Sequence, residues 1–432
     1  MQETMLATTD NLKVSLMAET LIGSEIIKIA AEVNEKIKKG EKIYNFTIGD
    51  FDPNIFPIPQ ELEKEIVAAY HDKQTNYPAA PGIIELRKAV SSFLKKYEEL
   101  DYNSSDEILI SAGARPLIYA TYATLIDAGD TVLFPVPSWN NNHYCHMSGA
   151  KPVLVETSPE NFFMPSAEEL EPYIKDASLI ALCSPLNPSG TVFTRSQLES
   201  ICDMVLAENK RREGNRKPLY VMYDQIYWML TFGETHHYNP VSLRPAMKDY
   251  TIFIDGISKS LAATGVRVGW AFGPANVIDK MKAILSHVGA WAPKAEQVAT
   301  AKYLGMETAL NSYITNIRSE VSQRLDYFYK GFRKLREAGF KVDVIAPQAA
   351  IYLTVKLDLC GSVTQNGKQL RTQADVTRYV LDEAGLALVP FYAFGSPEDS
   401  SWYRLSVGTC ISSETDNVIN ALRAALMKLT SQ

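Results

Sequence analysis

Residues 251–273 read TIFIDGISKSLAATGVRVGWAFG: two apolar runs, TIFID and VGWAFG, on either side of a glycine-studded turn that holds Lys259 and Arg267. Runs this short and this apolar predict strands buried on both faces. A lysine standing at the end of one is unusual, because lysines mostly point into water. Working outward, similar runs occur at ILIS (108–111), TVLF (131–134), PVLVE (152–156), LIALCS (179–184) and LYVMYD (219–224), with helix-period stretches or long connections between them. The alternation predicts an α/β fold: a large domain with a mostly parallel seven-stranded sheet covered by helices on both faces. In such sheets ligands bind outside the carboxyl ends of the strands.

Beyond this region the alternation lapses. A helix is expected over 24–38, stopped by Gly40, with IYNFTIGD running into the core. On the C-terminal side come a long helical pattern over 308–338, the run IYLTVKL, a helix near 372–384, the run WYRLSV and a last helix from Ser413. This order predicts a second, smaller α+β domain. The expected division is 56–304 for the large domain, with 1–55 and 305–432 forming the small one.

The 432 residues are 46% hydrophobic and 22% charged, an ordinary globular composition. Forty-three basic against fifty acidic residues give a net charge of −7 with no basic stripe, which argues against a nucleic-acid partner. Cys145, Cys183, Cys202, Cys360 and Cys410 are scattered, so neither a disulfide framework nor a zinc cluster is indicated. His143 and His146 lack a second cluster of ligands, and no metal is expected. The N-terminus lacks a signal-peptide pattern and no run is long enough to cross a membrane, so the expected location is cytoplasmic.

Polar residues gather where the strands should end. SAGARPLIYATYATL (111–125) reads as strand, glycine turn and helix, which would turn the backbone N–H groups of Gly113, Ala114 and Arg115 outward as an anion site. PLNPSG sets Asn187 in a shaped loop, and LYVMYDQIY ends a strand in Asp224 with Tyr227 three positions on. A buried acid is costly without a cation or a donor, so Asp224 implies an ion pair or a ligand's cationic nitrogen. A phosphate turn, an asparagine, an acid with a phenol, a lysine and an arginine together suit pyridoxal 5'-phosphate (PLP).

The ordered set SAGARPL, SWN, SPLNPSG, YDQIY, SKSLAATGVRVGW and YRLSVG resembles the class I/II aminotransferases, PLP enzymes of fold type I, and in particular their aspartate aminotransferase-like members. The resemblance implies that Lys259 forms the internal aldimine and shuttles a proton, and that Asp224 pairs with the pyridine nitrogen. It further implies that Tyr227 and Asn187 donate to the cofactor's phenolic oxygen and that Trp139 stacks on its ring. The phosphate would rest on Gly113, Ala114 and Arg115 with Ser258 and Arg267. Tyr77, in TNYPAAPG, would reach the site of a neighbouring copy, which implies a homodimer with shared active sites. Arg404 would clamp the substrate α-carboxylate, a geometry lysine cannot mimic, while Gly49, Asn187 and Trp139 line the same end.

Two departures stand out. Many relatives carry serine where this chain has Gly256, and the order GDFDPN leaves Asp50 and Asp52 without an assigned role. Arg115 occupies the position from which one branch contacts the substrate's second carboxylate, which favours aspartate and glutamate, with a 2-oxo acid as acceptor. Trp291, Pro293 and Lys294 would approach from a partner subunit, the tryptophan narrowing the pocket towards apolar side chains. Aromatic or neutral amino acids, a PLP-dependent β-lyase and an inactive binding homologue are the alternatives. The last is disfavoured because Lys259, Asp224 and Arg404 are all present.

Overall fold

The computed structural model describes residues 13–21, 23 and 25–430, so the expected helix start at Ser24 and the first twelve residues of the small domain lie outside the described residues. The first helical stretch that bears on the site runs Glu25–Lys38. Strand β1 (Tyr44–Asn45) pairs in parallel with β11 (Leu386–Ala387). All seven apolar runs form one sheet. Its strands are β2 (Ile108–Ser111), β3 (Thr131–Val136), β4 (Lys151–Glu156), β5 (Ala177–Cys183), β6 (Tyr220–Asp224), β7 (Thr251–Gly256) and β8 (Gly269–Phe272), in spatial order β2-β8-β7-β6-β5-β3-β4. The central pairs are parallel, whereas β8 runs antiparallel to both β2 and β7.

Side-chain alternation along β7 shows why the strands are apolar throughout. Phe253 packs into a cluster with Phe93, Leu198, Ile201 and Val205 on one face, while Ile252 and Ile254 pack with Leu117, Ile118, Met281 and Leu285 on the other. Each such fully buried side chain contributes about 1.5–3 kcal/mol relative to exposure.

The C-terminal third builds a four-stranded antiparallel sheet ordered β12-β13-β10-β9, from β9 (Val342–Val344), β10 (Tyr352–Leu357), β12 (Val389–Pro390) and β13 (Trp402–Ser406). The helix Glu307–Glu337 links the two cores: Leu310 and Ile314 pack with the large sheet, and Ile317 through Leu335 pack with Tyr352, Val355 and Leu422. The helix Gln373–Ala384 starts at a capping box formed by Thr372 and Asp375. No helix among the described residues is long and apolar enough to cross a membrane.

Candidate active site

Between the ends of β5, β6 and β7 and the β10–β13 pair lies a cavity of about 710 Å³. Its lining includes Gly49, Ala114, Arg115, Trp139, Asn187, Asp224, Tyr227, Ser258, Lys259, Arg267 and Arg404, residues that the sequence spreads over more than half the chain.

Lys259 enters through the short helix Ile257–Ser260 that follows β7. Its Nζ donates to the Gly49 carbonyl at 2.6 Å and lies 5.7 Å from the centre of the Tyr227 ring. Burial lowers its pKa to about 8; Arg404, Arg115 and Arg267 push the same way, and Asp50 opposes them.

Asp224 ends β6 in register with Cys183 and Ile254. Burial pushes its carboxyl up to about 6, against the Ile226 N–H that donates to it at 3.1 Å and the field of Lys259. An acid held this way gains from a cationic partner. One residue past that amide, the Tyr227 hydroxyl lies 2.5 Å from the hydroxyl of Tyr352 on β10.

Arg404 on β13 is buried. It donates from Nη1 to Asn187 Oδ1 at 3.0 Å and from Nη2 to the Thr47 carbonyl at 2.6 Å, while its Nε is buried without a partner. Its guanidinium lies 4.7 Å from the Tyr352 ring centre and 5.0 Å from that of Phe394. The planar fork is therefore fixed in place, with donors left over for an anion.

At the other end, the helix Ala114–Leu125 presents its first-turn amides, which have no intrahelical partner. The Gly113 N–H donates to the Ser111 carbonyl at 2.7 Å. The glycine serves a further need. It sits at φ +84°, and a Cβ there would collide with the Arg267 guanidinium, which is anchored on the Ala112 and Thr264 carbonyls. Gly269 stacks against Gly113 in turn, and Gly256 against Gly269, where a Cβ would come within 2.7 Å of the Gly269 Cα. The absent serine at position 256 thus follows from close packing of β7 on β8.

Arg115 does not simply point into water. Its guanidinium lies over the Trp139 ring, 4.6 Å from the centre, at the cavity wall. Tyr77 is 82% exposed and outside the cavity lining, edge-on to Trp291 at 5.3 Å. Beside it Lys294 donates to Asn76. Among the lining residues that sequence reasoning missed, two polar ones bear on the chemistry. Tyr352 read only as part of a strand, and Asp50, left without a role, lines the cavity and acts on Lys259. Asp52 instead caps a turn through the Asn54 amide. His146 contacts the Met17 carbonyl, and no group of three or more metal-ligating side chains occurs among the described residues.

The family model for aminotransferase class I and II matches residues 41–422. The chain belongs to this family. Among its relatives, the bifunctional aspartate aminotransferase and glutamate/aspartate-prephenate aminotransferase of Petunia hybrida is 31% identical over 90% of this chain and 78% of its own length. An aspartate aminotransferase of Rhizobium meliloti (strain 1021) is 27% identical over 94% of each chain. The crystal structure of a Rhizobium meliloti aspartate aminotransferase superposes with a TM-score of 0.87 at 26% identity, covering 97% of this chain and all of the other. An aromatic aminotransferase from Pyrococcus horikoshii OT3 reaches 0.79 at 26% identity, over 91% of this chain and 98% of its own. The chain is thus an aminotransferase with the α/β architecture of fold type I, as the sequence motifs imply.

Proposed function

We propose that the cavity holds PLP and that this aminotransferase moves the amino group of aspartate or glutamate to a 2-oxo acid in two half-reactions through one site. The observation that carries the reading is Lys259: a buried amine with lowered proton affinity, flanked by an acid that burial pushes up to about 6 and by an arginine with an unpaired Nε. The residues fit the cofactor. Asp224 would take the pyridine nitrogen, Tyr227 and Asn187 the phenolic oxygen, and Trp139 the ring. The Ala114 and Arg115 amides, Ser258 and Arg267 would take the phosphate. Bound PLP supplies an aldehyde that receives the amino group and a ring that accepts the electron pair left at the substrate α-carbon.

The chain's own groups do the rest. Arg404 binds the α-carboxylate, with Gly49 beside it, and orients the α-hydrogen. Lys259, in its neutral form, takes that proton. Charge also favours an acidic substrate. Four cations, Arg115, Lys259, Arg267 and Arg404, face two acids, Asp50 and Asp224, in the lining. With Arg267 on the phosphate and Arg404 on one carboxylate, Arg115 is left for a second carboxylate. Its seat on Trp139, in a lining that also holds Ile48 and Ile118, supports a second reading, aromatic or neutral amino acids.

Comparing kcat/KM for aspartate and for an aromatic amino acid in Arg115→Ala separates the readings. A charge-assisted contact gives about a ten- to hundredfold loss confined to aspartate. Equal losses overturn the acidic assignment, and ammonia with pyruvate as products would mark elimination instead of transfer.

The exposed Tyr77, edge-on to the half-buried Trp291 and with Lys294 nearby, fits a homodimer in which Tyr77 reaches the partner's phosphate site. The 56–304 unit is the large domain, 1–55 and 305–432 the small one, and the enzyme works in the cytoplasm.

A further inference from the structure

On the face of the sheet opposite the cavity, the turn after β6 and the end of β7 are tied together by a buried polar cluster. Asp255, 1% exposed, accepts from the Trp228 indole N–H at 3.0 Å and from the Gly256 amide at 2.7 Å. Trp228 follows Tyr227 directly, and Gly256 stands three residues before Lys259. One carboxyl therefore bridges the segment that carries Asp224 and Tyr227 and the segment that carries Ser258 and Lys259.

The same turn is held from a second side. Gln225, fully buried, donates from Nε2 to both oxygens of Glu98 at 2.8 and 2.9 Å, and its Oε1 lies 3.3 Å from His237 Nε2. Glu98 itself is the C-cap of the helix Ile84–Tyr97, where the helix dipole opposes a negative charge. A buried acid pair is a poor device for stability, because burial and each other's field disfavour ionisation of both carboxyls and no cation sits between them. Such an arrangement is retained more readily for where it puts its neighbours than for what it adds to the fold.

We propose that Asp255 is a positioning residue of the transamination site, clamping the Asp224–Tyr227 turn to the Ser258–Lys259 turn, with Glu98 and Gln225 bracing the first of these from behind. The inference rests on the cofactor site proposed above. The groups that act on Asp255 are Asp224 at the end of β6, Glu98 at the helix end, and Gln225 and Trp228 in the turn; His237 faces Gln225 and Glu98 and is kept neutral by burial. Burial pushes the Asp255 carboxyl up to about 8, opposed by the Gly256 amide, the Trp228 indole and Gln225, with Asp224 adding to the rise. A carboxyl raised in the folded state ionises first in the unfolded chain, so stability is full below about pH 4 and falls as pH rises to about 8.

Two arms test the proposal. In the first, the thermal midpoint of cofactor-free protein is followed from pH 5 to 8. Wild type declines, and Asp255→Asn declines less steeply; an unchanged slope overturns the buried-carboxyl part of the argument. In the second, PLP affinity and the kcat–KM split are measured. Asp255→Ala, which strands both donors, is expected to weaken PLP binding at least tenfold and to cut kcat at least thirtyfold with KM within threefold. Asp255→Asn, which keeps one acceptor, should recover most of this.

If Asp255→Ala does not fold, Trp228→Phe removes one clamp donor and should lower kcat severalfold at constant KM. Folded variants with wild-type PLP affinity and kcat overturn the positioning role. Wild-type protein that binds no PLP overturns the cofactor site itself, a failure the cofactor-free arm keeps distinct.

Discussion

Only the neutral form of Lys259 can attack an aldehyde, so its proton affinity sets how fast cofactor-free protein captures PLP. Burial, helped by Arg404, Arg115 and Arg267, brings the amine from 10.5 down to about 8. At pH 7 that leaves about one amine in ten neutral, against about three in ten thousand for an unperturbed lysine, a gain of roughly 300-fold. Stopped-flow mixing with PLP from pH 6 to 10 should show the capture rate rising about tenfold per pH unit and levelling off near pH 8. Asp50→Asn removes the carboxylate that favours the ammonium form, so its break should come at lower pH. A rate still climbing at pH 10 would refute the lowered affinity, and an unmoved break in Asp50→Asn would refute the part given to Asp50.

Arg404→Lys keeps a charge but loses the fork held by Asn187 and Thr47; with about 1.5–3 kcal/mol per charge-assisted bond, kcat/KM should fall at least a hundredfold in steady-state assays. Gly113→Ala places a methyl against the Arg267 guanidinium at a φ that alanine resists, so PLP affinity by equilibrium titration should drop at least tenfold while the substrate KM of the saturated enzyme changes little. Asp224→Asn removes an acid whose pKa is raised to about 6 in the folded state. Stability from such an acid is full below about pH 4 and lost as pH rises through 6, so cofactor-free Asp224→Asn should melt higher than wild type at pH 7 and equally near pH 3.5, while turnover collapses.

The strands were legible because both faces of the sheet are covered, which leaves each as an uninterrupted apolar run, and β7 with its lysine is the clearest case. Asp224 and Lys259 were legible because a charge at the end of such a run needs a reason, and Arg404, in the middle of β13, only through the likeness of YRLSVG to the family. Tyr352 was not: a tyrosine on a buried strand is ordinary, and nothing local shows that its hydroxyl meets Tyr227. The need for glycine at 113 was not legible either, because a turn glycine shows its second reason only when Arg267 is seen beside it. The cluster behind Asp224 was hidden by distance. Glu98 sits in KKYEEL, which reads as a solvated helix end, yet its partner Gln225 lies 127 residues further along.

The central claim is that Lys259 is the covalent anchor for PLP. Protein incubated with PLP, reduced with borohydride and digested should carry the phosphopyridoxyl group on the peptide containing Lys259, in a stoichiometry near one per chain, with no label in Lys259→Ala. Label on another lysine, or equal labelling in that variant, would contradict the account.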